Sequence, residues 1–412
     1  MSKNYNVITL GCRLNFWESN EINSYIDNNK KNDLIVFNTC SVTNEAIKNT
    51  RKYIKTFHKL NPKVKIALTG CGIETDHRFF KDMEEVSFII KNNDKLSKEK
   101  WIDVQRNIKS ESKVPFKFKK VEKENPSNSL VRKFIKIQNG CNHSCTFCII
   151  PKCRGSSVSE NVDKVNEEIA INLDKGIKEI ILTGVDITSW QNYQSKYSML
   201  GDLIENILKK NKGNFRLRLS SIDAAELDEK IFYLIENDPR LMPHFHFSLQ
   251  SLNDLILKRM KRRHNVGQII NLFEKIRSIR SSVTFGADFI CGFPTETEKM
   301  FLETLKLAKE LRISHLHVFP YSEKKGTPAA RMPQVELHKR RNRAKILRQL
   351  GKDNYLEILR NEINKKHKVL IETEEGVGKT ENNLKVKVTN ANKGNILDVK
   401  LDKIFKDYLI VE

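Results

Sequence analysis

Apolar and polar positions follow three different rhythms along the chain. In the first, Val7-Ile-Thr-Leu, Leu34-Ile-Val-Phe and Ile66-Ala-Leu are short apolar runs, each followed by a polar, helix-like stretch. They recur about every 30 residues, the length of a βα unit, and predict an open parallel α/β sheet. From Val131 to about Asn361 the alternation is longer, with apolar runs at Glu179-Ile-Ile-Leu-Thr, Phe215-Arg-Leu-Arg-Leu, Phe245-His-Phe-Ser-Leu, Thr284-Phe-Gly-Ala-Asp-Phe-Ile and His315-Leu-His-Val-Phe. Repeated βα units of this kind predict a parallel sheet or barrel. The last fifty or so residues alternate at period two, in Lys368-Val-Leu-Ile-Glu, Leu384-Lys-Val-Lys-Val, Ile396-Leu-Asp-Val-Lys-Leu and Tyr408-Leu-Ile-Val, which predicts a small antiparallel β module. Lys109 to Ser129 is rich in Lys and Ser without a sustained hydrophobic period, and reads as a linker. The chain is therefore expected to be α/β, divided at residues 1–105, 106–130 (linker), 131–362 and 363–412.

Composition narrows the setting. With 39% hydrophobic and 30% charged residues, the 412-residue chain is neither disordered nor membrane-embedded. It has no apolar run long enough to span a bilayer, and Met1-Ser-Lys-Asn lacks the apolar core of a signal peptide. A cytoplasmic protein with no membrane partner is expected. Its 73 Lys and Arg outnumber 51 Asp and Glu, leaving a formal charge of +22. Such a field attracts polyanions, nucleic acid first, although general enrichment in Lys, Asn and Ile would also produce it. Eight cysteines in a reducing compartment point to metal or redox chemistry rather than disulfides.

Three of those cysteines occupy equivalent places. Cys12, Cys40 and Cys71 each close an apolar strand of the first segment. Ligands of open parallel sheets bind at the carboxyl ends of the strands, so three thiols arrive at one edge. A lone cysteine there is usually a small packing residue. Three together favour an iron–sulfur cluster with one open iron over zinc, which in structural sites closes its shell with four ligands. The second set, Gly140-Cys141-Asn-His-Ser-Cys145-Thr-Phe-Cys148, follows a strand and is tight enough to wrap one cluster. Zinc with Cys153 as a fourth ligand is the plainer alternative.

The Cys141–Cys148 loop closely resembles the cluster loop of the radical S-adenosylmethionine (SAM) superfamily. Over essentially the whole chain the sequence is similar to the methylthiotransferases of that superfamily, and most to their branch acting on N6-threonylcarbamoyladenosine in tRNA. The matching stretches include Thr9-Leu-Gly-Cys-Arg-Leu-Asn15 with Glu18-Ser19, Asn38-Thr-Cys-Ser-Val-Thr43, Ile135 to Gly155, Leu182-Thr-Gly-Val-Asp, Arg218-Leu-Ser-Ser-Ile, Leu249-Gln-Ser, Leu257 to Arg263, Asp288-Phe-Ile-Cys-Gly-Phe-Pro294 and His317 to Ala330. Gly72-Ile-Glu stands where Tyr-Ala-Gln is common, and Asn383 where an aromatic residue is common.

The resemblance implies two 4Fe-4S clusters, held by Cys12, Cys40 and Cys71 and by Cys141, Cys145 and Cys148. In the family the open iron of the second cluster chelates SAM, whose reductive cleavage makes a 5′-deoxyadenosyl radical. It also implies a partial (β/α) radical SAM barrel, a C-terminal TRAM-like β-barrel that grips RNA, and a tRNA carrying threonylcarbamoyladenosine as substrate. An electron donor such as flavodoxin or ferredoxin is required, and the source of the inserted sulfur is not indicated. Rival readings are the isopentenyladenosine branch, the ribosomal-protein aspartate branch and, from another class, a non-catalytic RNA-binding iron–sulfur protein.

Further candidates sit where strands end, as binding residues do in (β/α) barrels. Gly184 and Asp186 fall where the resemblance places a SAM contact. Ser220, Gln250 and Asp288 are candidate SAM or substrate contacts, and Gly292 a point of close approach to the adenine side of SAM. Cys153 and Cys291 read as packing residues. The basic runs Lys258–Arg263 and Lys339–Arg343 read as solvated faces or phosphate contacts. His143, His315 and His317 lack metal-spacing partners and read as structural.

Overall fold

The computed structural model describes residues 6–26, 33–108, 131–192 and 198–411; the expected linker lies, from residue 109 onward, outside the described residues. The chain divides into two compact units. The first contains the N-terminal segment together with Gly140–Asn142 and Ile149–Ser156, and the second contains the rest. Among the described residues, no helix is long and apolar enough to cross a membrane.

In the first unit, strands β1 (Val7–Thr9), β2 (Leu34–Thr39), β3 (Lys65–Gly70) and β4 (Phe88–Ile89) form a parallel sheet in that order. β2 is buried at every position because both faces are covered. Period-two alternation sorts its side chains. Ile35 and Phe37 join Ile54 and Phe57 of the helix Asn44–Leu60, while Leu34 and Val36 join Ile22 of the helix Arg13–Tyr25 and Trp101 of the helix Lys98–Arg106. The Thr43 side chain caps the helix Asn44–Leu60 at the Ala46 amide, so the chain leaves the sheet immediately after Cys40.

The second unit opens with β5 (Arg132–Lys136), then a short antiparallel pair, β6 (Gln138–Asn139) and β7 (Val158–Ser159). Parallel pairing then runs β5-β8 (Glu179–Thr183)-β9 (Arg216–Leu219), and β10 (Ser221–Ile222)-β11 (His244–Gln250)-β12 (Thr284–Cys291)-β13 (His315–Pro320). Only Ser220 separates β9 from β10, so one stretch of chain serves both sheets. Helices return between most of these strands, and a core that includes Ile180, Leu217, Phe247, Phe285 and Leu203 fills the space between helices and sheets.

After the long helix Leu337–Glu362, strands β14 (Lys366–Ile371), β15 (Val377–Lys379), β16 (Lys385–Val388), β17 (Ile396–Lys400), β18 (Lys403–Phe405) and β19 (Tyr408–Val411) form a six-stranded sheet. It is ordered β17-β14-β15-β16-β19-β18 and is antiparallel except at β16–β19. Its Lys379–Asn383 turn faces the starts of the parallel strands. Arg216 donates to the carbonyls of Lys368 and Lys379, Arg218 to that of Thr380, and Thr284 to that of Asn382. Asn383 has φ +70, a conformation asparagine tolerates better than an aromatic residue does, and its Oδ1 accepts from Lys379 Nζ at 2.8 Å.

Candidate active site

The parallel register of the first sheet delivers its cysteines to one edge. Thr9 lies opposite Asn38, and Thr39 opposite Gly70, so the chain reaches Cys12, Cys40 and Cys71 just beyond aligned strand ends. Close approach depends on glycine twice. A Cβ on Gly11 would stand 3.0 Å from the Cys40 Cβ, and one on Gly70, at φ +95, 2.4 Å from the Thr39 carbonyl oxygen. Burial, with Cys12 and Cys71 adding to it, pushes the Cys40 thiol up to about 12. A thiol crowded by two other sulfurs belongs to a donor set suited to a shared metal centre.

The surroundings of this edge are polar and ordered. Asn15 Oδ1 accepts from the Cys12 thiol at 3.4 Å and from Arg154 Nη2 at 2.8 Å. Asn38 donates to Ser19 Oγ and to the Asn15 carbonyl. Arg154 and Lys95 both pair with Glu18. Burial alone would raise the Glu18 carboxyl, yet these two cations hold it at about 2. Cys153 is buried beside Cys71 and Ile149, with Ser41 Oγ 4.0 Å from its sulfur. Its packing role is thus against the N-terminal cysteine set.

In the second unit, Thr146 pins the loop that carries Cys145 and Cys148. Its amide donates to the Met260 carbonyl at 3.1 Å, its hydroxyl to that of Arg259 at 2.8 Å, and its own carbonyl accepts from Ala329. Arg262 Nη1 donates to Cys145 Sγ at 3.5 Å, while Nη2 donates to Asp223 Oδ2 at 2.7 Å and to the Ser248 carbonyl at 2.8 Å. The guanidinium therefore sets a fixed positive charge beside the Cys145 sulfur. Cys141 begins the loop, its amide donating to the Gly155 carbonyl at 3.1 Å.

The strand-end candidates have varied surroundings. The turn after β8 closes on Gln138, whose Oε1 accepts from the Val185 and Asp186 amides. A Cβ on Gly184 would lie 2.8 Å from the Gln138 carbonyl oxygen, so packing within the turn already requires glycine there. Asp186 Oδ2 lies 2.6 Å from His143 Nε2, and Oδ1 accepts from Thr188. Ser220 Oγ is buried without a partner among the described residues, the kind of atom a bound ligand satisfies. Gln250, at φ +69, marks a break in the β11–β12 register. Asp288 Oδ1 lies 3.0 Å from His246 Nε2 and 3.1 Å from His317 Nδ1. Burial raises that carboxyl, but His246 and His317 outweigh it and hold it far below the usual range.

Gly292 has φ +69, and a Cβ there would meet Arg340 at 2.5 to 2.9 Å. Close approach is therefore to the helix Leu337–Glu362. Gly292→Ala is expected to lower the melting temperature of SAM-free protein, at a cost of about 1–3 kcal/mol for the strained backbone alone. An unchanged thermal unfolding midpoint would refute this packing role.

The basic runs turn partly inward. Arg262 is spent on Cys145 and Asp223, Arg340 on the Val335 and Tyr321 carbonyls, and Arg343 on Glu296 and Glu298. His143 and His317 each face a carboxylate, Asp186 and Asp288. Arg154 and His246 were not singled out from the sequence, and Arg262 only as part of a basic run, since nothing in their local spacing announces partners so remote.

Residues 135–308 match the radical SAM superfamily, and residues 4–91 match the uncharacterised protein family UPF0004. The threonylcarbamoyladenosine tRNA methylthiotransferase MtaB of Rickettsia prowazekii is 42% identical over 98% of this chain and 94% of its own. The chain belongs to the radical SAM methylthiotransferases. The tRNA-2-methylthio-N(6)-dimethylallyladenosine synthase of Bartonella bacilliformis is 30% identical over 90% of this chain and 86% of its own.

 In fold, the chain is similar to the radical SAM methyltransferase TsrM of Kitasatospora setae, with a TM-score of 0.53 and 13% identity over 77% of this chain and 70% of that one. Membership of the superfamily implies SAM and a 4Fe-4S cluster, and the methylthiotransferase family implies a second cluster.

Proposed function

We propose that this enzyme methylthiolates C2 of N6-threonylcarbamoyladenosine next to the anticodon of tRNA, using two 4Fe-4S clusters and SAM. The carrying observation is the near full-length similarity to the Rickettsia methylthiotransferase, 42% against 30% for the dimethylallyladenosine enzyme. When bound, SAM and the clusters supply the one-electron chemistry and the methylthio group that an aromatic C–H bond, inert to acid–base catalysis, requires.

The residues divide the work. Cys12, Cys40 and Cys71 hold the auxiliary cluster, and Cys141, Cys145 and Cys148 the cluster that binds SAM. Arg262 sets its guanidinium on the Cys145 sulfur, and Gln138 fixes the Gly184–Asp186 turn, which would contact SAM. Ser220, Gln250 and Asp288 face SAM or the base, and Gly292 shapes the end of β12. Residues 1–105 form the methylthiotransferase domain, 131–362 a partial (β/α) barrel and 363–412 a TRAM-like module that grips RNA. The +22 charge draws in the phosphate backbone, and the reaction takes place in the cytoplasm with a flavodoxin or ferredoxin as electron donor.

Selection of the base then falls to the pocket. Threonylcarbamoyl offers a carboxylate, a hydroxyl and a urea, whereas isopentenyl offers only hydrocarbon and would leave polar partners in the site unpaired. The expected preference for the threonylcarbamoyl tRNA is on the order of a hundredfold or more. Reconstituted enzyme, SAM and reductant are incubated with both tRNAs, which are then digested to nucleosides. Methylthio product mainly on isopentenyladenosine would place the enzyme in the sister branch.

A further inference from the structure

Behind the N-terminal cysteine edge lies an ion cluster almost closed to water. The side chains of Glu18, Lys95 and Arg154 are 1%, 2% and 2% exposed. Glu18 Oε1 accepts from Arg154 Nη1 at 2.7 Å, and Oε2 from Lys95 Nζ at 2.5 Å and Arg154 Nη2 at 3.3 Å. One carboxylate and two cations sum to a single positive charge. Burying charge is costly, and a packed apolar cluster is often at least as stable, so stability alone is weak grounds for this arrangement.

The position of the charge supplies better grounds. Arg154 Nη2 also donates to Asn15 Oδ1, the oxygen that accepts the Cys12 thiol. Arg154 therefore reaches a cysteine of the auxiliary set through one intervening side chain. Its charge also acts on Cys71 and Cys40. Asn15 is fixed independently, since its Nδ2 donates to the Thr39 carbonyl at 3.1 Å, immediately before Cys40. With all three side chains almost fully buried, the charge is weakly screened by solvent, and its field reaches the sulfurs with much of its strength.

We propose that Arg154, fixed by Glu18 and Asn15, is a positioning residue whose charge raises the reduction potential of the auxiliary cluster. The inference rests on Cys12, Cys40 and Cys71 holding that cluster. Reduction adds one negative charge to a cluster bound by thiolates, and a buried cation nearby favours the reduced form. Net charge and hydrogen bonding near the sulfurs are among the recognised determinants of such potentials. Lys95 acts in the same sense and Glu18 in the opposite one.

The test uses full-length protein with Cys141, Cys145 and Cys148 changed to Ala, reconstituted anaerobically with iron and sulfide. Iron is counted and the potential measured by EPR-monitored titration. Arg154→Met is expected to disfavour reduction at least tenfold, a fall of about 59 mV for one electron. Glu18→Gln is expected to raise the potential, and Arg154→Lys to stay near the parent value. If Arg154→Met does not fold, Lys95→Met decides, with a fall expected. Iron present but potentials unmoved, or moved the same way by Arg154→Met and Glu18→Gln, overturns the charge assignment and leaves the ligand set standing. A parent protein that takes up no iron removes the ligand set, and this inference with it.

Discussion

Cys145→Ala is expected to abolish reductive cleavage of SAM while the N-terminal cysteines keep their cluster. In the proposed ligand set Cys145 is one of three cysteines, on a loop held in place by Thr146, and its sulfur receives the Arg262 guanidinium. With the sulfur gone, that guanidinium stays paired to Asp223 but loses its contact with the loop. Losing even an outer partner of a metal site can cost 10–100-fold in affinity or activity, so loss of a ligand should cost more than about a hundredfold. Anaerobically reconstituted variant, given SAM and a strong reductant, should form 5′-deoxyadenosine only at background rate. Iron should fall by about one cluster per chain, not two. Formation of 5′-deoxyadenosine at the wild-type rate would remove Cys145 from the cluster.

Features written in local periodicity were legible in the sequence. The apolar run of β2 fits a strand covered on both faces, and Cys40 directly beyond it is placed by the chain itself. The parallel β8, β11, β12 and β13 were likewise visible as apolar runs between amphipathic stretches. Long-range pairs were not legible. Arg154 meets Glu18 across 136 positions, Arg262 meets Asp223 across 39, and His246 meets Asp288 across 42. No spacing rule joins residues so far apart. The same limit explains the basic runs, where charge density alone does not distinguish an arginine facing water from one turned toward a buried carboxylate. At Asn383 the residue type answers to backbone shape, and left-handed φ and the contact with Lys379 make a polar residue suitable.

Cys40→Ala is expected to do the reverse of Cys145→Ala, sparing SAM cleavage and stopping methylthio transfer. Cys40 lies at the end of β2, in the compact unit formed around the N-terminal sheet, and the Cys145 and Cys148 loop belongs to the other unit. The Val42 amide donates to its sulfur at 3.5 Å, and Gly11 packs against its Cβ, so an alanine fits without disturbing the sheet. The change is chemical rather than structural, with one of the three proposed ligand sulfurs removed. Single-turnover assays on tRNA should give 5′-deoxyadenosine but lose methylthiolated nucleoside by more than about a hundredfold, by the same reasoning as for the other cluster. Normal amounts of 5′-deoxyadenosine with no methylthio product would assign Cys40 to sulfur delivery. Methylthiolated product at the wild-type level would show that the auxiliary site does not need Cys40, and the convergence of three strand-end thiols would then require another explanation.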